Sequence, residues 1–270
     1  MKRSLLICAL SLVPVLVGCK RSGSSGGAGG SSALTIAGST SVQPFAEKWA
    51  EAYGTKHPGV QINVQGGGST AGVKAANTGA AQIGTVSREL KADEKGLNEI
   101  VVARDGIAVI VNPASGVSDL TLDQVRGIFA GTTKSWKELG GPDKPLTVIT
   151  REEGSGTRGA FEELVMNKVR ISTGALVQDS TGAVREMVHN DPAAVGYISL
   201  GQVNDQIKAI KLAGVEAKEA NVVAGKYPLV RPFLFVTKGE PTGAVKEFLD
   251  FVLSTEGQDL IRKEGLIPAK

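Results

Sequence analysis

Clusters of glycine, serine and threonine recur along this sequence, each between a short apolar run and an amphipathic stretch. Three are pronounced and a fourth is weaker: residues 37–41 (Ala-Gly-Ser-Thr-Ser), 66–70 (Gly-Gly-Gly-Ser-Thr), 153–157 (Glu-Gly-Ser-Gly-Thr) and 179–182 (Asp-Ser-Thr-Gly). A strand that leads through such a loop into a helix directs free backbone N–H groups and hydroxyls to one point, with the positive end of the helix dipole behind them. One cluster would be an ordinary helix cap, whereas three or four predict a shared site for a small oxyanion.

The densest of these signals is the run Arg-Glu-Glu-Gly-Ser-Gly-Thr-Arg at residues 151–158. Each flanking arginine offers a planar fork of donors that matches two oxygens of a phosphate or sulfate. Ser155 and Thr157 add hydroxyl donors, and the glycines allow close approach of the backbone. The alternative interpretation is a helix cap flanked by surface arginines.

The amino terminus has the features of an export signal. Lys2 and Arg3 precede an uncharged run over residues 4–17, which is shorter than the roughly 20 residues of a membrane span. The run leads into Leu-Val-Gly-Cys, which resembles a bacterial lipobox and implies cleavage before Cys19 and lipid attachment to its sulfur. An ordinary signal peptide with a chance cysteine is the alternative. We therefore predict a lipoprotein signal peptide over residues 1–18, the lipidated cysteine and a Gly/Ser tether over 19–32, and an extracytoplasmic protein held at a bacterial membrane only by its lipid.

The composition excludes several classes of function. The chain has 30 Lys and Arg against 27 Asp and Glu, a formal net charge of +3 that falls to +1 without Lys2 and Arg3. This balance is unlike that of a nucleic-acid binder. Aromatic residues make up 4% of the chain, few for a site that stacks sugars or quaternary ammonium groups.

The chain offers little for catalysis. His57 and His189 each end a helical pattern, where a positive charge complements the helix dipole, and there are too few His and Cys residues for a zinc cluster. The sequence contains no GxSxG, SxxK or P-loop motif. A GxGxxG pattern covers residues 154–159, but its mid-chain position in an exported protein disfavours a dinucleotide site. We therefore predict no enzyme, no metal site and no cofactor.

Apolar runs alternate with helical patterns from residue 33 onward, which is typical of an α/β fold. Strands are predicted over residues 34–37, 60–65, 83–86, 107–111 and 146–150. Helices are predicted over residues 42–56, 70–78, 122–130, 157–168 and 182–190. In the first helix, Phe45, Trp49 and Tyr53 follow the spacing of one buried face.

The length favours two lobes. Asn112 and Pro113 break the pattern after the fourth predicted strand, and the run Val-Arg-Pro-Phe-Leu-Phe-Val from residue 230 is predicted to return as an edge strand because of Pro232. We assign residues 33–111 and 230–270 to lobe 1 and residues 112–229 to lobe 2. Two crossings between lobes create a cleft, where small ligands usually bind.

Six stretches carry a resemblance to a known family: residues 37–44, 66–72, 105–112, 128–136, 151–158 and 196–199. In this order, from about residue 34 to residue 268, they resemble the phosphate-binding lipoproteins of bacterial ABC-type phosphate uptake systems. The resemblance implies a two-lobed Venus-flytrap fold, the type II periplasmic binding protein fold. It further implies a receptor, which we expect to be monomeric, that serves the permease subunits of an ABC transporter.

The resemblance also implies the contacts of the phosphate. Lobe 1 would contribute Ser39, Thr40, Ser41, Ser69, Thr70 and Ser87. Lobe 2 would contribute Arg151, Ser155, Gly156 and Thr157. Because both lobes hold the anion, closure would be coupled to binding, and the transporter could sense the closed form.

One position departs from the family pattern. Better-known members have a Ser-Asp pair after the third strand, whereas this chain has Ser87-Arg88. That carboxylate accepts the proton of monohydrogen phosphate, and such an acceptor rejects sulfate, which has no proton to donate. The candidates to replace it are Glu153, Glu152 and Asp105, and we favour Glu153 because it immediately precedes the Gly-Ser-Gly-Thr turn. Arg88 would either add a second positive contact or form a surface salt bridge.

These patterns together predict an extracytoplasmic receptor that binds inorganic phosphate in an interlobe cleft and delivers it to an ABC transporter. The alternatives are a receptor for another oxyanion, such as sulfate or molybdate, and a secreted phosphatase-like enzyme.

Overall fold

A mixed β-sheet runs through residues 32–269, the part of the chain that the computed structural model describes. The strands are β1 Ser32–Gly38, β2 Val60–Gln65, β3 Ile83–Val86, β4 Asn98–Val111, β5 Asp119–Leu120, β6 Thr147–Arg151, β7 Leu176–Gln178, β8 Ala194–Ser199, β9 Lys208–Ala209, β10 Lys211–Leu212, β11 Val230–Thr237 and β12 Ile267–Pro268. The helices are α1 Gln43–Lys56, α2 Ser69–Thr78, α3 Leu122–Ala130, α4 Gly156–Phe161, α5 Thr181–Asn190, α6 Glu219–Val223, α7 Gly243–Leu253 and α8 Thr255–Arg262. The predicted α/β class is confirmed.

The strand order places two groups of strands on either side of β4. The sheet reads β2-β1-β3-β11-β4-β8-β6-β7, with β9 and β12 also paired to β4, while β5 and β10 form a separate pair. The first part of β4 pairs with β11 as far as Gly106, and from Ile107 onward β4 pairs with β8. We call β2-β1-β3-β11 the first half of the sheet and β8-β6-β7 the second half. A single long strand therefore passes from one half to the other.

Separate apolar cores support the two halves. In the first half, Trp49 and Phe45 of α1 pack on β11, and the Trp49 ring meets Phe235 edge-on at 5.6 Å between centroids. In the second half, Phe161 stacks on Tyr197 with 4.0 Å between ring centroids. Each core packs helices against the strands on its own side of β4.

The predicted helices and strands agree with the structure wherever the apolar residues of the sequence recur with a clear period. The predicted stripe of α1 is buried at Phe45, Trp49 and Tyr53. The helix predicted over residues 157–168 is α-helical only to Phe161 and continues as a π-helical turn, Glu162–Met166. Asn167 and Lys168 have positive φ angles and end it.

The prediction of an edge strand at residues 230–236 is wrong, because β11 lies between β3 and β4. Pro232 is tolerated there because β3 pairs only with Leu234–Val236, beyond the proline. Pro232 therefore has no partner strand on that side to which an N–H would donate.

The signal peptide, Cys19 and most of the tether lie outside the described residues. The division into lobes 33–111 with 230–270 and 112–229 stays a prediction. Within residues 32–269, no helix has the length and apolar character to cross a membrane.

Candidate functional site

Small hydroxyl side chains from five segments of the chain meet where strands of both halves end and helices begin. We call the hydroxyl cluster the side chains of Ser39, Ser41, Ser69, Ser87, Thr157 and Thr181, all of which are buried. Thr40, which is half-buried, lies at its edge. The loop before α1, the start of α2 and the end of β3 supply the first-half members. The first turns of α4 and α5 supply Thr157 and Thr181 from the second half.

Direct hydrogen bonds connect these hydroxyls. Ser41 Oγ lies 2.7 Å from Thr157 Oγ1 and 3.0 Å from Thr181 Oγ1, so it bonds to two helices of the second half. The Ser39 hydroxyl donates to Ser87 Oγ at 2.9 Å, and the Ser87 N–H donates to Ser69 Oγ at 3.1 Å. The structure therefore brings together five of the serines and threonines that the sequence predicted to contact the anion, and with them Thr181 of the weaker fourth cluster.

Two glycines allow the backbones to approach this closely. A Cβ on Gly156 would overlap Ser69 Oγ and lie 2.5 Å from Ser87 Oγ, so a larger residue here would displace these hydroxyls or α4 itself. Gly68, which precedes α2, has a φ of 88°, a conformation that favours glycine. Across the halves, the Thr70 N–H donates to the Gly154 carbonyl oxygen at 3.1 Å.

Arg151, at the end of β6, supplies one guanidinium to the cluster and is 2% exposed. Its Nη1 donates to Thr181 Oγ1 at 3.3 Å and its Nη2 to Thr40 Oγ1 at 3.2 Å. Glu152 accepts from Nε and Nη2, each at 3.0 Å. The carbonyls of Gln178 and Asp179 accept further bonds, which hold the fork in one orientation.

Arg231, on β11, supplies a second guanidinium that the sequence analysis missed. Its Nη1 donates to Thr157 Oγ1 at 2.7 Å, and Asp105 accepts from Nε and Nη2. Burial raises the pKa of Asp105, against the opposing effects of Arg231 and of the Ser199 hydroxyl. A lone arginine in an otherwise apolar strand was the signal that could have found this residue, since a buried guanidinium needs a carboxylate partner.

Some predicted residues are present but point elsewhere. The Ser155 hydroxyl caps α4 by accepting from the Arg158 N–H at 3.2 Å. The Thr70 hydroxyl accepts from Arg88 Nη2 at 3.3 Å. Arg88 itself is buried and paired with Glu94 at 2.6 Å, so its salt bridge is internal and not on the surface.

Glu153, the favoured proton acceptor, is exposed. Its neighbour Glu152 is half-buried and accepts a hydrogen bond from Arg151 Nη2. Both glutamates follow the end of β6, and Glu153 lies in the turn that leads to α4. His57 stacks on Tyr53, and His189 bonds to the Gln206 carbonyl oxygen, so neither histidine contacts the cluster. The described residues hold no group of three or more His, Cys, Asp or Glu side chains that could bind a metal ion.

Comparison with known proteins agrees with this geometry. Residues 23–256 match the family model of a PBP superfamily domain. The phosphate-binding protein PstS of Bacillus subtilis (strain 168) is 37% identical over 244 residues, which cover 88% of this chain and 81% of that protein. This chain belongs to the phosphate-binding protein family of the PBP superfamily.

Solved structures of the family share the fold. A Clostridium perfringens protein assigned as a phosphate ABC transporter substrate-binding protein, with bound phosphate, is 45% identical and superposes with a TM-score of 0.86, covering 88% of this chain and all of that one. An ABC-type phosphate transport receptor of Vibrio cholerae is 37% identical with a TM-score of 0.72, over 87% of this chain and 99% of that one. The type II periplasmic binding protein fold is confirmed for this family member.

Chemically, the hydroxyl cluster is a set of neutral hydrogen-bond donors between two guanidiniums, each of which is paired with a carboxylate. Arg151 is balanced by Glu152, and Arg231 by Asp105, so the buried charges cancel in pairs. Donors held in place before a ligand arrives lose little freedom when they bind an anion. Such a site can hold an oxyanion by many hydrogen bonds at once, without a net positive charge.

Proposed function

We propose that this protein is an extracytoplasmic solute receptor that binds inorganic phosphate at the hydroxyl cluster and delivers it to an ABC transporter. The observation that carries the proposal is the convergence of buried hydroxyls from both halves of the sheet on two arginines. The relatives named for phosphate binding, one of them with bound phosphate, support it.

In this proposal the anion replaces the direct bonds between hydroxyls. Ser41, Thr157 and Thr181 would turn their O–H groups from one another to the phosphate oxygens. The other proposed contacts are Ser39, Thr40, Ser69, Ser87, Arg151 and the backbone at Thr70, Ser155 and Gly156. Since members come from both halves, binding would hold two lobes together, and the closed form would be the one that the permease recognises.

The carboxylate acceptor for the phosphate proton needs a different candidate from Glu153. Glu152 lies beside Gly68, whose added Cβ would be 3.1 Å from Glu152 Oε1, so this carboxylate faces the start of α2. Arg88 is committed to Glu94 and adds no contact to the anion. We therefore propose Glu152 as the acceptor, which makes the Glu152→Gln variant a test of selectivity against sulfate.

We further propose that Cys19 carries a lipid that anchors the protein at a bacterial membrane, and that the protein works as a monomer without catalytic activity. A shift in mass that disappears in a Cys19→Ser variant would test the anchor. A phosphatase assay on the purified chain tests the enzymatic alternative.

The deciding experiment is isothermal titration of the purified chain, stripped of bound anion, first with phosphate and then with sulfate. Saturable binding of phosphate and none of sulfate supports the proposal. Equal binding of both anions points to a general oxyanion receptor. Absence of heat with either anion, in a chain shown to be folded, contradicts the proposal.

A further inference from the structure

The Arg231 guanidinium occupies a position that mirrors that of Arg151 across Ser41. On one side, Arg151 Nη1 donates to Thr181 Oγ1, which lies 3.0 Å from Ser41 Oγ. On the other side, Arg231 Nη1 donates to Thr157 Oγ1, which lies 2.7 Å from Ser41 Oγ. One hydroxyl thus sits between two threonines, and each threonine accepts from its own arginine.

The orientation of Arg231 is fixed from behind. Arg231 and Asp105 are register partners in the pairing of β11 with β4, two residues before β4 begins to pair with β8 at Ile107. Asp105 Oδ2 accepts from Nε at 3.0 Å and from Nη2 at 2.8 Å, and the Ser199 hydroxyl donates to Oδ1 at 2.9 Å. These contacts occupy one edge of the fork and direct Nη1 to the hydroxyl cluster.

The contacts of Nη1 reach both halves of the sheet. Besides Thr157, Nη1 donates to the Ser87 carbonyl oxygen at 3.2 Å, at the end of β3. The Arg231 side chain is 1% exposed and that of Asp105 is fully buried. A buried ion pair costs desolvation that a pair of apolar residues would avoid. A pair placed beside polar donors, with Nη1 directed to one of their hydroxyls, is suited to holding an anion.

We infer that Arg231 is a second anion-binding cation of this site, with Asp105 and Ser199 as its positioning residues. The inference rests on the proposed function. Two guanidiniums on opposite sides of Ser41 match a tetrahedral dianion, since each can donate to different oxygens. The carboxylate that holds Arg231 also keeps the site from carrying a large net charge before the anion arrives.

The test is titration of the purified full chain with inorganic phosphate, in wild type and in the double variant Arg231→Met/Asp105→Asn. The double change removes both buried charges, so that neither is left unpaired and the fold is retained. We expect affinity to fall about 30-fold or more, since losing a buried charged donor costs about 2 kcal/mol or more. A thermal unfolding midpoint near that of wild type would accompany the loss. A folded double variant that binds phosphate within twofold of wild type overturns the inference.

Two single variants distinguish the effect of the Arg231 charge from the effect of the orientation of its guanidinium. Asp105→Asn keeps Arg231 but loosens its fork, and we expect phosphate to bind about threefold to tenfold more weakly. Arg231→Lys keeps the charge, but one ammonium cannot serve both Asp105 and Thr157, and we expect a loss of about tenfold. If the double variant does not fold, Arg231→Lys decides, and binding within twofold of wild type overturns the inference.

The matched control is Arg104→Met, which removes an exposed arginine from the neighbouring position of β4 and should leave phosphate affinity unchanged. Arg151→Lys separates the inference from the function on which it rests. If Arg151→Lys loses phosphate binding and the double variant keeps it, the proposed phosphate site is supported and the inferred role of Arg231 is wrong. If the wild-type chain binds no phosphate, the proposed function falls first.

Discussion

Ser41 and Thr157 lie 116 positions apart in the chain, yet their hydroxyl oxygens are 2.7 Å from each other. Ser41 belongs to the loop between β1 and α1, and Thr157 to the first turn of α4. Both side chains are buried. This contact joins the two halves of the sheet at the point where the proposed phosphate would bind.

Removal of these hydroxyls should weaken phosphate binding without unfolding the protein. We expect Ser41→Ala and Thr157→Val each to reduce the binding free energy by about 1–2 kcal/mol, the value of a lost hydroxyl donor. The double variant should lose less than the sum, because both hydroxyls serve the same anion. Isothermal titration of the four proteins in this cycle measures the coupling. Thr132→Val, which removes an exposed hydroxyl, is the control, and strictly additive losses would contradict a shared ligand.

The close approach of Gly156 to Ser69 and Ser87 predicts that a small substitution there will weaken phosphate binding. Gly156→Ala places a methyl group against Ser69 and Ser87, so either these hydroxyls turn away or α4 shifts. We expect phosphate affinity to fall at least tenfold, since either change misaligns several donors together.

Gly182→Ala is the matched control for this variant. Gly182 also lies in the first turn of a helix, α5, but a Cβ there meets no atom within 4 Å. This variant should bind phosphate normally and gain up to about 1 kcal/mol of helix stability. Equal phosphate affinities for the two alanine variants would show that contact between the halves is not needed for binding.

The histidines provide a check on the enzymatic alternative. We expect His57→Gln and His189→Gln to bind phosphate as wild type does, because neither ring contacts the hydroxyl cluster. Titration of both variants under the conditions used for wild type measures this. A large loss in either one would reopen the possibility of acid–base chemistry at the site.

Much of the site could be predicted from the sequence because its signals are local. The Gly/Ser/Thr clusters indicate helix starts within a few residues, and the four of them lie at the starts of α1, α2, α4 and α5. The buried stripe of α1 follows from a period that is visible in fourteen consecutive residues. Ser41, Ser69 and Thr157 can therefore be predicted as site residues from the sequence around each of them.

The remaining features of the site and of the fold depend on contacts between distant parts of the chain, which no local sequence pattern encodes. Arg231 and Asp105 are 126 positions apart on different strands, and nothing in the local sequence of either residue pairs it with the other. Whether Glu152 or Glu153 faces inward depends on the conformation of the turn after β6, which the sequence does not specify. The placement of β11 inside the sheet was missed because Pro232 suggested an edge, whereas the register with β3 begins only after it.

The Arg88–Glu94 pair should set the stability of the loop after β3 and its response to acid. Glu94 accepts from both Nη atoms of Arg88, at 2.6 and 2.8 Å, and from the Lys91 N–H at 3.0 Å. Burial alone would raise the pKa of the Glu94 carboxyl, but these hydrogen bonds and the Arg88 charge outweigh it and lower that pKa. A carboxylate whose pKa is lower in the folded state stabilises that state above its unfolded pKa.

We expect Glu94→Gln to lower the free energy of unfolding by about 3 kcal/mol at pH 7, because Arg88 is left buried without its partner. As the pH falls from the unfolded-state pKa toward the lower pKa of Glu94 in the folded protein, the wild type loses this stabilisation, so the difference between the two proteins should shrink. Urea unfolding at pH 7 and near pH 3 measures both values. Asp143→Asn, which breaks the exposed pair with Lys137, should change stability by less than about 1 kcal/mol at either pH. A difference for Glu94→Gln that stays constant with pH would mean that the carboxylate charge does not stabilise this loop.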